Sequence, residues 1–273
     1  MLRAVSRTSH PPTPVAGGPR ARHDEEQLKA AYTSRHRAYE LGAIAVWTTT
    51  ASWFAWTLIH GSTLGGLWVV AAVLLGMLIA DFTSGVVHWG FDTWGDLDTP
   101  VLGKLAIRTF RLHHVARLAI TENDFVRTNG HTCGVAVIPL VVGAPLISSA
   151  PMTASESFWA ITALFVSIVT ALTSQIHKWA HTPDPPRPVV LLQRARLLLH
   201  PAHHDEHHQP PYTRRYCISG GWLNGLLDAI RFFETLERVV TSVTGALPRE
   251  DDLGTQGALL VQSAQEPRPG QSR

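Results

Sequence analysis

Five of the chain's 15 histidines fall within the nine residues HPAHHDEHH, His200–His208, which Pro210 and Pro211 close. His177 and His181 stand four apart in HKWAH, His113 and His114 are adjacent in FRLHH, and His88 lies in DFTSGVVHWGFD between Asp81 and Asp92. Neutral imidazole is a metal ligand suited to Fe, Zn, Cu and Ni. Residues four apart on a helix project from one face, as two ligands of one ion must. Adjacent residues diverge by about 100°, so a pair such as His113–His114 can serve two ions. Pro201 suits the first turn of a short helix that Pro210–Pro211 ends, and there His204, His207 and His208 share a face. So many imidazoles exceed the four ligands of a tetrahedral zinc, and the pattern implies two metal ions. Asp81, Gly85, His88 and Asp92 recur at 0, +4, +7 and +11, one stripe of a helix. Asp92 and Asp81 are therefore the candidate catalytic carboxylates, placed to orient imidazoles or handle protons, and Gly85 leaves room for a close approach. His131, His200 and His203, taken singly, read as surface residues.

The elements that must position these residues are apolar. The 273 residues are 45% hydrophobic and 16% charged, fewer charges than a soluble protein carries. Four runs, Leu41–Ile59, Leu64–Ala80, Thr132–Ser155 and Ser157–Ile176, are nearly or wholly free of Lys, Arg, Asp and Glu. Each is close to the roughly 17 to 25 residues a bilayer crossing needs. All 23 Lys and Arg lie before the first run, between the second and third, or after the fourth. By the positive-inside bias both tails and the histidine clusters are cytoplasmic, and only two short turns face the other side. The expected fold is an all-α integral membrane protein of about four transmembrane helices, with a cytoplasmic helical histidine-rich cap holding a di-metal site. Residues 1–40 read as a disordered or partly helical tail, 41–248 as the membrane domain and 249–273 as a second disordered tail. Trp222, Leu223, Leu226, Leu227, Ile230, Phe233 and Leu236 recur at helical spacing, an amphipathic segment of the cap. Lys104, Arg108 and Arg111 are basic residues placed to meet a lipid phosphate.

Two cysteines without a CxxC pair exclude a disulfide framework and a thiolate metal site, so any metal is held by nitrogen and oxygen. No Gly-rich phosphate loop and no Ser nucleophile elbow is present, and nothing calls for nucleic acid. What remains is oxygen chemistry on lipid, in which a metal cofactor supplies the oxidant. A lipid hydroxylase shares the same boxes. A metal transporter or storage protein is the non-enzymatic rival; transport places ionisable residues inside several spans, and here only Asp81 lies at one.

ADFTSGVVHWGFDTWG, RTFRLHH, ITENDF with TNG, SQIHKWAHT, HHDEHH, GWLN and PREDD, in this order over roughly Ala80–Asp252, resemble the motifs of the histidine-box lipid desaturase family. The resemblance implies a membrane oxidoreductase that uses two Fe ions, O2 and external electrons to remove two hydrogens from a phospholipid chain. It implies His88, His113, His114, His177, His181, His204, His207 and His208 as metal ligands, with His203 behind them and His131 at a variable position. Thr128–Gly130, the lysine of HKWAH, GWLN and PREDD are similar to the branch that makes the vinyl ethers of plasmalogens from 1-O-alkyl ether phospholipids. PPY and YCISG are similar to the plant plastid branch that desaturates an acyl chain. The balance favours the ether branch. The chain has no cytochrome b5, flavin or ferredoxin motif, so the implied partner is a separate electron-transfer protein such as cytochrome b5 or ferredoxin with its reductase. The implied location is the inner membrane in a bacterium or the endoplasmic reticulum in a eukaryote.

Overall fold

A computed structural model describes residues 32–95, 99–100, 102–148 and 151–248, and among the described residues every regular element is helical. In chain order these are α1 (Ser34–Gly61), α2 (Gly66–Thr93), α3 (Arg108–Val115), α4 (Phe125–Gly143) and α5 (Ala154–His181), followed by α6 (Arg187–Arg194), α7 (Pro201–Asp205), α8 (Asn224–Ala229) and α9 (Phe232–Thr244). The tails expected at 1–40 and 249–273 lie outside the described residues, except for 32–40, which lead into α1.

α2, α4 with its following 3-10 turn, and α5 are long and apolar enough to cross a membrane. α1 has the length, 28 residues, but carries Arg35, Arg37 and Glu40 in its first turns and Thr48, Thr49 and Thr50 in its middle.

Local chemistry moves some of the expected boundaries. Asp124 accepts the Arg127 backbone N–H at 2.9 Å and starts α4 at Phe125, before the expected Thr132. Pro139 is accommodated within α4, and the helix tightens into a 3-10 turn over Ala144–Ile147, short of the expected Ser155. A capping box starts α5: Thr153 Oγ1 accepts the Glu156 N–H at 3.2 Å, and the Glu156 carboxylate accepts the Thr153 N–H at 2.8 Å. The amphipathic segment expected over Trp222–Leu236 is broken between α8 and α9, where Arg231 takes a left-handed conformation with φ of 53°.

α5 is the central helix, packed against both α2 and α4, with α1 on α4. The two short connections meet at one end, where the Met152 N–H donates to the Gly61 carbonyl at 2.9 Å and Thr63 Oγ1 donates to the Met152 carbonyl at 2.9 Å. α2 and α5 therefore run the same way and finish together at the opposite end. At 1.5 Å per residue, 28 residues span about 42 Å, more than the roughly 30 Å of bilayer hydrocarbon. Both are longer than a crossing needs, and their last turns carry His88 with Asp92 and His177 with His181.

The helices meet through small residues and polar bridges, the means by which helices associate in lipid. Ala72, Ala136, Ala160 and Ala171 are fully buried. Trp47 Nε1 donates to Ser167 Oγ at 2.9 Å, Ser167 Oγ donates to the Ala136 carbonyl at 2.6 Å, and Thr132 Oγ1 donates to the Ala171 carbonyl at 2.9 Å. A Cβ added at Gly76 would stand 2.7 Å from the Thr162 carbonyl oxygen and 2.8 Å from Phe165 Cβ. Gly76→Leu therefore forces α2 and α5 apart, at a cost of about 1–3 kcal/mol. A lowered thermal midpoint in detergent, relative to Gly42→Leu where the added atom meets open space, is the expected outcome; equal midpoints contradict this packing.

Candidate metal centre

Two groups of side chains converge where α2 and α5 end. In the first, one ligand nitrogen from each of His113, His177, His181, His204 and His208 lies within 4.8 Å of all the others. His113 and His181 approach Nε2 to Nε2 at 3.0 Å, His177 and His204 at 2.8 Å, His181 and His177 at 3.2 Å, and His204 stands 3.0 Å from both His181 and His208. Hydrogen bonding cannot account for this. A neutral ring nitrogen offers one proton or one lone pair, yet His204 Nε2 faces three like atoms. A cation about 2.0–2.1 Å from each nitrogen would set neighbouring nitrogens about 3 Å apart, which is the observed spacing.

In the second group Asp92 Oδ2 lies 3.2 Å from His88 Nε2, 3.4 Å from His114 Nε2 and 3.5 Å from His207 Nε2, and His114 and His207 approach at 3.1 Å. All four are buried, and neither Asp92 oxygen nor His88 Nε2 has a hydrogen-bond partner. A buried carboxylate without a hydrogen-bond donor is strongly disfavoured unless a cation compensates it. Both groups fit metal ions held by nitrogen and oxygen.

Backbone carbonyls aim some of these rings. A carbonyl only accepts, so His88 Nδ1–H donates to the Tyr216 carbonyl at 3.1 Å and His207 Nδ1–H to the Arg214 carbonyl at 2.8 Å. Each bond fixes the tautomer and leaves the Nε2 lone pair facing inward. The His114 ring stacks on Tyr212 at 4.4 Å and 11°. Nothing local in PPYTRRY signals these roles, since they rest on backbone atoms brought in by the fold.

Adjacent histidines separate as their divergence requires: His113 joins the first group and His114 the second. His177 and His181 point into one group. His204, His207 and His208, expected on a single face, do not stay together. α7 ends at Asp205, and the turn after it sends His207 to the second group while His204 and His208 remain in the first. His131, His200 and His203 lie outside both groups.

The two carboxylates are placed differently from each other. Asp92 faces Nε2 atoms, the converging side of the second group. Asp81 touches neither group. It accepts backbone N–H bonds from Gly220 at 2.8 Å, Gly221 at 2.9 Å and Leu223 at 3.3 Å, pinning the GGWLN strip against α2. Gly85 is the close approach: an added Cβ would lie 2.6 Å from Cys217 Sγ. Arg111, expected at a headgroup, is buried and donates to the Gly95 carbonyl at 2.8 Å; the Lys104 side chain lies outside the described residues.

A bundle of apolar helices whose shared end carries buried imidazoles able to hold metal ions defines a histidine-box membrane protein. Residues 77–251 match the lipid desaturase domain. Plasmanylethanolamine desaturase of Myxococcus xanthus is 42% identical over 239 residues, 86% of this chain and 83% of that protein. Plasmanylethanolamine desaturase 1 of Mus musculus is 42% identical over 188 residues, 68% of this chain and 69% of that protein. The chloroplastic fatty acid desaturase 4 of Arabidopsis thaliana is 35% identical over 176 residues, 64% of this chain and 52% of that protein. No solved structure matches the chain. The chain belongs to the lipid desaturase family, a family of oxidoreductases.

Purified protein is expected to carry about two metal ions, and His114→Ala or Asp92→Ala about one, by elemental analysis; variants that keep the full complement contradict the second group. Burial and the neighbouring rings hold His113, His204 and His208 well below the usual imidazole range. The unfolded chain takes up protons near pH 6.5 that these rings refuse, so their contribution to stability is complete above about pH 6.5 and falls below it. The thermal midpoint of metal-stripped protein should therefore drop between pH 7 and pH 5, and a flat profile contradicts this.

Proposed function

We propose that the chain is a di-iron, O2-dependent membrane lipid desaturase that forms the vinyl ether of plasmalogens from 1-O-alkyl ether phospholipids, as a plasmanylethanolamine desaturase does. The observation that carries it is the pair of donor groups at the end of an apolar bundle in a chain 42% identical to two proteins of that name.

Five imidazoles in one group exceed what tetrahedral zinc takes, which favours a metal of higher coordination number, and oxygen chemistry favours iron. Two bound irons would supply the oxidising power to remove hydrogen from an unactivated C–H bond. The lipid loses two hydrogens. With two electrons and two protons from outside, these reduce one O2 to two waters. The electrons come from a separate protein such as cytochrome b5 or ferredoxin with its reductase. His88, His114, His207 and Asp92 would hold one iron, and His113, His177, His181, His204 and His208 the other. The carbonyls of Tyr216 and Arg214 keep two of these rings in the ligating tautomer, and the burial of His88, Asp92, His114 and His207 keeps bulk water from the second group.

α1 is the fourth crossing in this reading. Exposed Trp53 and Trp56 on α1 lie toward the same end of the bundle as exposed Trp68 and Trp159, an interfacial belt. The histidine end and both tails are cytoplasmic, with 41–248 as the desaturase domain.

Lipid mass spectrometry on cells that lack ether desaturation, fed an alkyl-ether precursor, tests the reading. The chain should yield a product lighter by two hydrogens and destroyed by mild acid, and His207→Ala should yield none while remaining in the membrane. A new double bond in an acyl chain with unchanged ether lipids overturns the ether assignment in favour of the plant-like reaction.

A further inference from the structure

A cavity of about 490 Å³, a size that suits a small ligand, opens on the side of the histidine cluster where α5 ends and α6 and α7 begin. His181, one of the five converging imidazoles, forms part of its wall, so an occupant lies directly against the first metal group. Arg117, Gln193, Arg194 and Asp205 line it as well. Gln193 is 4% exposed and its carboxamide nitrogen has no hydrogen-bond partner. A desolvated donor just behind a cavity surface costs free energy until a turn of its side chain brings it an acceptor. Arg117 Nη1 stands 3.4 Å from Asp205 Oδ1, a partly exposed pair whose members an incoming zwitterion can engage separately. The outer face of α6 exposes Leu191 and Leu192, with Leu197 just beyond it. α6 thus exposes leucines outward and sets Gln193 and Arg194, beside Val190, toward the cavity, an arrangement that suits a helix at the level of lipid headgroups.

We propose that this cavity binds the phosphoethanolamine headgroup of the lipid substrate, with Arg117, Arg194 and the Gln193 carboxamide on the phosphate and the Asp205 carboxylate on the ammonium. The inference rests on the vinyl-ether reading above and deepens it. In a 1-O-alkyl glycerophospholipid roughly six bonds separate the phosphorus from the first carbon of the alkyl chain, so the two lie within about 8 Å. A headgroup held against His181 therefore brings the carbons beside the ether oxygen to the metal groups, whereas mid-chain carbons lie well past them. The cavity would act as a ruler that sets which bond is oxidised.

The test is native mass spectrometry of the metal-loaded, full-length protein with ether lipids that carry phosphoethanolamine, phosphocholine or a bare phosphate. Metal content and turnover are measured on the same samples. Arg194→Gln and Gln193→Met should weaken binding of all three lipids by about ten-fold and raise KM to match, with kcat and metal content held. Asp205→Asn should weaken the phosphoethanolamine lipid most and leave the bare-phosphate lipid unweakened. Glycerophosphoethanolamine should displace the lipid from the wild type at lower concentration than inorganic phosphate does. Unchanged binding in the three variants, with vinyl ether still formed by the wild type, overturns the headgroup site and leaves the reaction standing. Variant-sensitive binding without vinyl-ether formation supports the site and removes the reaction. Displacement by inorganic phosphate as effective as by glycerophosphoethanolamine reduces the cavity to an anion site and overturns the headgroup assignment.

Discussion

Eight imidazole nitrogens and one carboxylate are forced together where water is scarce, and the architecture follows from that constraint. Lone pairs facing one another at about 3 Å repel unless a cation sits among them, so metal binding adds to the stability of the folded site. The helices answer the geometric half of the problem. α2 and α5 run in the same direction and finish at the same level, which puts His88 with Asp92 beside His177 with His181. α3 and α7, each only a few residues long, add histidines that no single long helix could deliver to both groups.

The chain must also bring backbone carbonyls to the back of these rings, and this explains the strip between α7 and α8. Its Tyr216 carbonyl orients His88, and the strip runs on beside α2 in irregular conformation. Backbone polar groups buried there need partners within the protein. Asp81 satisfies the N–H groups of Gly220, Gly221 and Leu223, Ser84 Oγ accepts the Ile218 N–H at 3.1 Å, and the Asn224 side chain both accepts from the Cys217 N–H at 2.8 Å and donates to its carbonyl at 2.9 Å. A buried carboxylate on α2 thus serves the scaffold and positions the site at one remove.

What could be read in the sequence was what local spacing determines. The apolar runs mark the long helices, the i,i+4 pair His177–His181 marks one side of a metal group, and the divergence of adjacent residues separates His113 from His114. The parting of His207 from its neighbours was not legible, because it depends on where α7 ends, and a five-residue helix is set by its tertiary surroundings. The places of Asp81 and Asp92 on one stripe were readable and their roles were not. Position along α2 fixes their direction and sets Asp92 beside His88, while segments that fold against α2 bring backbone N–H groups to Asp81 and further imidazoles, His114 and His207, to Asp92. The cavity beside His181 had no sequence signature, since Arg117, Gln193 and Asp205 come from three separate segments.

The central claim is that these nine side chains hold two ions in two distinct groups. Anomalous difference density at the iron edge, from crystals of iron-loaded protein, tests it most directly. Two peaks are expected, one among His113, His177, His181, His204 and His208 and the other among His88, Asp92, His114 and His207. A single peak, or a peak bounded by residues outside these groups, would contradict it.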